Sequence, residues 1–86
     1  MKIIYSRKFL KRYRRLDYKL QMKIADRTEI FKQNPSHPLL RNHALHGEMQ
    51  GKRAISVTGD MRIVFQEFEG YTVVLFLDVG KHSLVY

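Results

Sequence analysis

The chain has no cysteine and no tryptophan, and only two prolines among its 86 residues. Without cysteine there is no disulfide framework, no thiolate nucleophile and no Cys-built zinc site. Small secreted domains usually need such staples, so a cytoplasmic home is the expectation. Long apolar runs are also missing. The longest, Val73 to Leu77, falls far short of the ~20 residues that a membrane-spanning helix requires. The N-terminal Met-Lys-Ile-Ile-Tyr runs into charge too soon to be read as a signal-peptide core. There is no phosphate-binding glycine loop, no dinucleotide glycine motif and no serine set in a plausible triad. What remains is 44% apolar and 28% charged, an ordinary globular balance. A chain this short has material for one core, so residues 1–86 read as a single domain and a large multi-domain enzyme is excluded.

Acidic side chains are scarce: 8 Asp+Glu stand against 16 Lys+Arg, for a net charge of +8. The excess is not spread evenly. Residues 1–33 carry 11 basic and 3 acidic side chains, whereas residues 34–86 carry 5 of each. A basic surface concentrated in this way attracts nucleic acid or an acidic protein, or it serves solubility alone.

Lys2 to Tyr5 reads as a short strand, and Ser6 as the N-cap of a helix. Phe9, Leu10, Tyr13 and Leu16 fall on one helical face, with Lys8, Lys11, Arg12, Arg14 and Arg15 between them. Asp17 caps a second helix with its apolar stripe at Leu20, Ile24 and Phe31, and Asn34-Pro35 ends it. Residues 34–51 read as an irregular arm. From Lys52 the spacing changes to strands. Arg53 to Thr58 and Met61 to Phe68 flank a two-residue turn at Gly59-Asp60, with glycine in its first position. Gly70 marks another turn, and Tyr71 to Val79 reads as a central, doubly buried strand. Gly80-Lys81-His82 breaks it before a short last strand over 83–86. The expected fold is α+β: an N-terminal strand and a basic helical hairpin packed on a mainly antiparallel sheet of about four to five strands.

Four histidines are available for proton transfer near neutral pH: His37, His43, His46 and His82. His82 stands where the chain leaves the sheet. Asp60 offers a carboxylate in a turn, where aspartate is also favoured for backbone reasons. Arg62 can present a planar fork of donors to a phosphate, or can simply snorkel at the sheet edge. His43 and His46 have an i, i+3 spacing, but no cysteine or matched acidic pair accompanies them, so no metal site is expected. Tyr86 either packs the last strand or stacks on a base. Such groups on a basic surface suit RNA cleavage without a metal or other cofactor. A base deprotonates the 2′-hydroxyl, which attacks the adjacent phosphate; an acid protonates the departing 5′-oxygen; a cation steadies the phosphate charge.

The chain resembles the bacterial RelE/ParE toxin superfamily, and within it the YafQ-like branch of mRNA interferases. The resemblance runs nearly the full length. It is carried by Leu16-Asp17 and Asn34-Pro35 around the helices, and by the arm Asn42-His43-Ala44-Leu45-His46-Gly47. Further on it is carried by Gly51-Lys52-Arg53, Gly59-Asp60-Met61-Arg62-Ile63-Val64-Phe65 and Val79-Gly80-Lys81-His82-Ser83-Leu84-Val85-Tyr86. It implies a RelE-like, microbial-RNase-like fold and the toxin of a type II toxin-antitoxin system. Such a toxin is wrapped by a cognate antitoxin, works in the cytoplasm and cleaves mRNA in the ribosomal A site. By the same resemblance His82, Asp60 and His43 are the implied acid–base groups, Arg62 the phosphate-binding arginine and Tyr86 the aromatic that orients the substrate. Lys52, Arg53 and Lys81 are expected to bind substrate, and Lys8, Lys11, Arg12 and Arg15 to lie against rRNA. Ser56 and Met61 depart from the histidine and tryptophan common in that branch, which implies a thinner acid–base and stacking set. Two other readings are a ParE-like gyrase poison without nuclease activity and an inactive RNA- or protein-binding relative.

Overall fold

The computed structural model describes residues 1–85; Tyr86 lies outside the described residues. The chain opens with β1 (Lys2–Tyr5), α1 (Arg7–Arg15) and α2 (Tyr18–Gln33). Both helices are capped as the sequence predicts. Ser6 Oγ accepts from Phe9 N, and Asp17 Oδ1 accepts from Leu20 N, each satisfying a first-turn amide that has no partner within its helix. The arm that follows is more ordered than its sequence suggests. It holds a short 3₁₀ turn at Pro38–Leu40, the two-residue strand β2 (His43–Ala44) and another turn at Gly47–Met49. β3 (Arg53–Ser56), β4 (Met61–Phe68) and β5 (Val73–Lys81) complete a five-stranded sheet in the order β1-β5-β4-β3-β2. β1 runs parallel to its neighbour β5, and the pairs β5–β4, β4–β3 and β3–β2 are antiparallel.

The expected last strand is instead a helical turn, α3 (His82–Val85), and β5 continues through Gly80 and Lys81 before it begins. The reason is that Gly80 stays in the ladder, paired with Arg62. Nor is β5 the centre of the sheet; that place belongs to β4, flanked by β5 and β3. The Gly59-Asp60 turn is wider than two residues. Val57 N donates to Met61 O, and Thr58 Oγ1 accepts from both Asp60 N and Met61 N. Gly59 is not among the residues of positive φ, so the side chain of Thr58, rather than a left-handed glycine, folds the corner.

Phe9, Ile24 and Phe31 of the helices pack on Ile55, Ile63, Phe65, Val74, Phe76 and Val79 of the sheet. Phe31 meets Phe65 and Phe76 with ring centroids 5.0 and 5.7 Å apart. A register shift between Val64 and Phe65 decides what the sheet's other face carries. Val64 pairs with Asp78 but Phe65 with Phe76, so Leu77 is a bulge and the in/out alternation of β5 reverses. Strict alternation from Val74 and Phe76 would drive Asp78 into the helix-side core. The bulge sends Asp78 and Gly80 to the open face and brings Val79 into the core instead. A smaller cluster of Leu45, Ala54, Val64 and Val85 lines that open face.

Candidate functional site

Pairing places Ala54, Val64 and Asp78 in one row across the open face, and Ser56, Arg62 and Gly80 in the next. Beyond the second row lies the corner where the β3–β4 turn meets the start of α3. His82 N donates to Asp60 O at 2.8 Å, which ties the two implied acid–base residues together through their backbones. Both side chains are exposed at the rim. Arg62 sits half-buried beside them. Its Nη1 donates to Thr58 O at 2.8 Å and to Met61 O at 3.1 Å, so the guanidinium braces the turn that carries Asp60.

Arg12 enters the same corner from α1. β1 stops pairing at Tyr5, and α1 takes its place along β5: Ser6 N donates to Phe76 O and Ser6 Oγ to Leu77 O. From there Arg12 Nε lies 3.4 Å and Lys8 Nζ 3.3 Å from the buried carboxylate of Asp78. A Cβ on Gly80 would come within 3.3 Å of Arg12 Nη1, so the residue type at 80 is what admits the guanidinium. Lys8 and Arg12, expected on the outer cationic face of α1, are thus partly spent on Asp78, whereas Lys11 and Arg15 remain exposed.

The other sequence-derived candidates are scattered. His43 shares the open face through its pairing with Ala54 but sits on β2, three strand spacings or ~14 Å from β5. Its Nδ1 lies 2.9 Å from Arg41 O. Lys52 lines a cleft of about 380 Å³ with Lys8, Asp78 and Val85. Arg53 lies on the helix side, paired with Phe65, and its Nε donates to Asn42 Oδ1 at 2.8 Å. Lys81 is exposed at the end of β5. Met61 is buried in the helix-side core, so it offers no stacking surface to a base. Tyr86 lies outside the described residues. His37 Nδ1 accepts from Leu39 N and so serves the turn at Pro38–Leu40. Among the described residues no three His, Cys, Asp or Glu side chains gather as a metal site would need.

Sequence reasoning did not single out Asp78, a lone carboxylate in an apolar strand opposite a cationic helix. It also missed the cationic cleft of about 570 Å³ behind the β3–β4 turn, whose walls include Lys23, Arg27, Arg41 and Arg62. The charge excess of residues 1–33 was the available signal for two of those four cations, Lys23 and Arg27.

No family model matches the chain, and comparison with curated proteins finds no match. Among solved structures, the YoeB/ParE toxin from Agrobacterium tumefaciens is 22% identical with a TM-score of 0.79, covering 95% of this chain and 99% of that one. YafQ from Escherichia coli strain BL21(DE3) is 20% identical with a TM-score of 0.77, covering 98% and 96%. The RelBE2 toxin-antitoxin complex from Mycobacterium tuberculosis matches at 13% identity and a TM-score of 0.78, covering 94% and 96%. From its first strand to its last helical turn, the chain has the α+β fold shared by the RelE, YoeB, YafQ and ParE toxins.

Proposed function

We propose that the protein is the toxin of a type II toxin-antitoxin system, acting in the cytoplasm as a ribosome-dependent endoribonuclease. The observation that carries this reading is the corner where His82 and Asp60 meet beside Arg62, on a fold shared with YafQ. In the proposed reaction one of the two exposed groups takes the proton of an RNA 2′-hydroxyl, and that oxygen attacks the adjacent phosphorus. The other protonates the departing 5′-oxygen, leaving a 2′,3′-cyclic phosphate. Arg62 and Arg12 supply the positive field for the phosphate. DNA lacks the attacking hydroxyl, so the chemistry selects RNA. His43 reaches the same open face from β2, and in this reading it contacts a neighbouring part of the message.

An antitoxin would mask such a site in the resting cell. The surface that suits it is the apolar cleft lined by Tyr5, Phe9, Leu10, Tyr13, Ile24 and Ala25, beside the outer edge of β1. Residues 1–33, which build β1 and both helices, carry the chain's whole charge excess, so the complementary partner is an acidic, amphipathic segment. RelBE2 and the DinJ–YafQ complex of Escherichia coli are relatives of the fold that crystallised with their partners.

The test is primer extension on a reporter mRNA in a translating extract, with wild type and His82→Ala side by side. New in-frame 5′ ends with wild type alone are expected. A folded His82→Ala protein that cleaves as well as wild type would sink the assignment. Intact mRNA with both, together with gyrase-trapped DNA breaks, would establish a ParE-like poison instead.

A further inference from the structure

The cleft of about 570 Å³ between α2, the Pro38–Leu40 turn and the β3–β4 corner is unlike the rest of the surface. Its cations come from separate segments: Lys23 and Arg27 one helical turn apart on α2, Arg41 after the 3₁₀ turn, and Arg62 on β4. Among the described residues no carboxylate lines it. Among the described residues only Arg27 of the four carries an ion pair, with its neighbour Asp26. Gathering like charges works against folding unless an anion neutralises them.

The fold also holds one of these cations in place at a conformational cost. Arg41 adopts a left-handed backbone (φ 49°), a conformation that residues other than glycine, asparagine and aspartate rarely take. The 3₁₀ turn, with Pro38 at its start and His37 as its cap, holds Arg41 there. The cleft also opens on Thr58 and Gly59, next to Asp60, and shares Arg62 with the corner.

We propose that this cleft is an anion subsite that holds a phosphodiester of the single-stranded RNA next to the one cleaved at the His82–Arg62 corner. The inference rests on the nuclease reading for what occupies the corner. Lys23, Arg27 and Arg41 clamp the phosphate.

The test uses the full wild-type chain and an uncleavable 2′-O-methyl RNA hexamer. Binding is followed by anisotropy across a salt series and by amide shifts of Ser56 and Gly59. Two triple variants are compared: Lys23→Gln/Arg27→Gln/Arg41→Gln in the cleft, and Lys11→Gln/Arg14→Gln/Arg15→Gln on α1, which removes the same charge elsewhere. The cleft variant should bind about tenfold more weakly, with a salt slope shallower by ~0.7, the change expected for one phosphate lost from single-stranded RNA. The Ser56 and Gly59 amides should move with the hexamer. Equal weakening by both triples would reduce the cleft to general charge and overturn the proposal. So would Ser56 and Gly59 shifts that appear with inorganic phosphate alone and not with the hexamer, which would make it a free-anion site. The nuclease reading fails separately, if wild type leaves message intact in the extract.

Discussion

Removing the carboxylate of Asp78 should destabilise the protein through Arg12 far more than through Lys8. Asp78 is 5% exposed, and its Oδ1 also accepts from Val79 N at 2.9 Å. Its two cationic neighbours lie at nearly equal distance, 3.3 and 3.4 Å, but differ in solvation. The Lys8 side chain is 64% exposed, so its share is that of a surface pair, about 0–1 kcal/mol. The Arg12 side chain is 35% exposed, and its Nη1 is buried without an acceptor. Breaking a fully buried pair by removing one partner costs ~3–5 kcal/mol. Here Lys8 swings into water and Arg12 follows in part, so Asp78→Asn should cost about 2 kcal/mol. With an m-value of ~1 kcal/mol/M for so small a protein, the urea midpoint falls by about 2 M. Arg12→Met leaves the buried carboxylate with only the exposed lysine and should cost about 2–3 kcal/mol, whereas Lys8→Met should cost under ~1 kcal/mol. The double variant Arg12→Met/Asp78→Leu replaces the pair with apolar side chains and should recover most of the loss. An Asp78→Asn midpoint within ~0.5 M of wild type would refute the reasoning, since ~0.5 kcal/mol is what an unremarkable surface change produces. A Lys8→Met loss as large as that of Arg12→Met would refute its central step, that solvation rather than distance decides between the two cations.

Gly80→Ala brings a Cβ to 3.3 Å from both Arg12 Nη1 and Val85 Cγ1. Overpacking of ~1–3 kcal/mol should outweigh the ~0.4–1 kcal/mol gained by restricting the unfolded chain, so thermal melting should show a net loss near 1 kcal/mol. Cleavage should fall with it, because α3 carries His82. Thr58→Ala removes the acceptor of Asp60 N and Met61 N and should cost ~1 kcal/mol, with a larger proportional drop in cleavage than in stability; an unchanged rate would detach Asp60 from the chemistry. Asn42→Ala unlinks Arg53 Nε and Tyr71 Oη from each other and should lower the urea midpoint by about 1–2 M, with little effect on RNA binding. A selective loss of RNA affinity there would restore Arg53 to the substrate surface.

Local chemistry explains why some of the fold was legible in the sequence. The two caps at Ser6 and Asp17, the helical stripe from Phe9 to Phe31 and the span of β4 each depend on residues within a few positions of one another. The errors fall where a distant strand decides. Gly80 and Lys81 read as a break because glycine ends strands in isolation, yet pairing to Arg62 and Met61 keeps them in β5. The turn at Gly59-Asp60 read as a glycine turn because the Thr58 hydroxyl competes for the same amides, and sequence alone does not rank the two.

The candidate site follows the same division, and the Leu77 bulge shows why. Histidine, aspartate and arginine near strand ends are visible as residue types, and His82, Asp60 and Arg62 do meet at one corner. Which face of the sheet a residue takes depends on counting parity along β5, and the bulge changes that count by one. Read with strict alternation, Asp78 belongs in the helix-side core, where a carboxylate could not stay charged without a partner. The bulge places it instead on the face where Lys8 and Arg12 arrive from α1. One extra residue in a strand therefore changes a buried liability into the anchor that holds α1 against the corner. It also fixes which of the chain's many cations are spent on structure and which remain for a polyanion. That division is invisible in the net charge, because it belongs to the register and not to the composition.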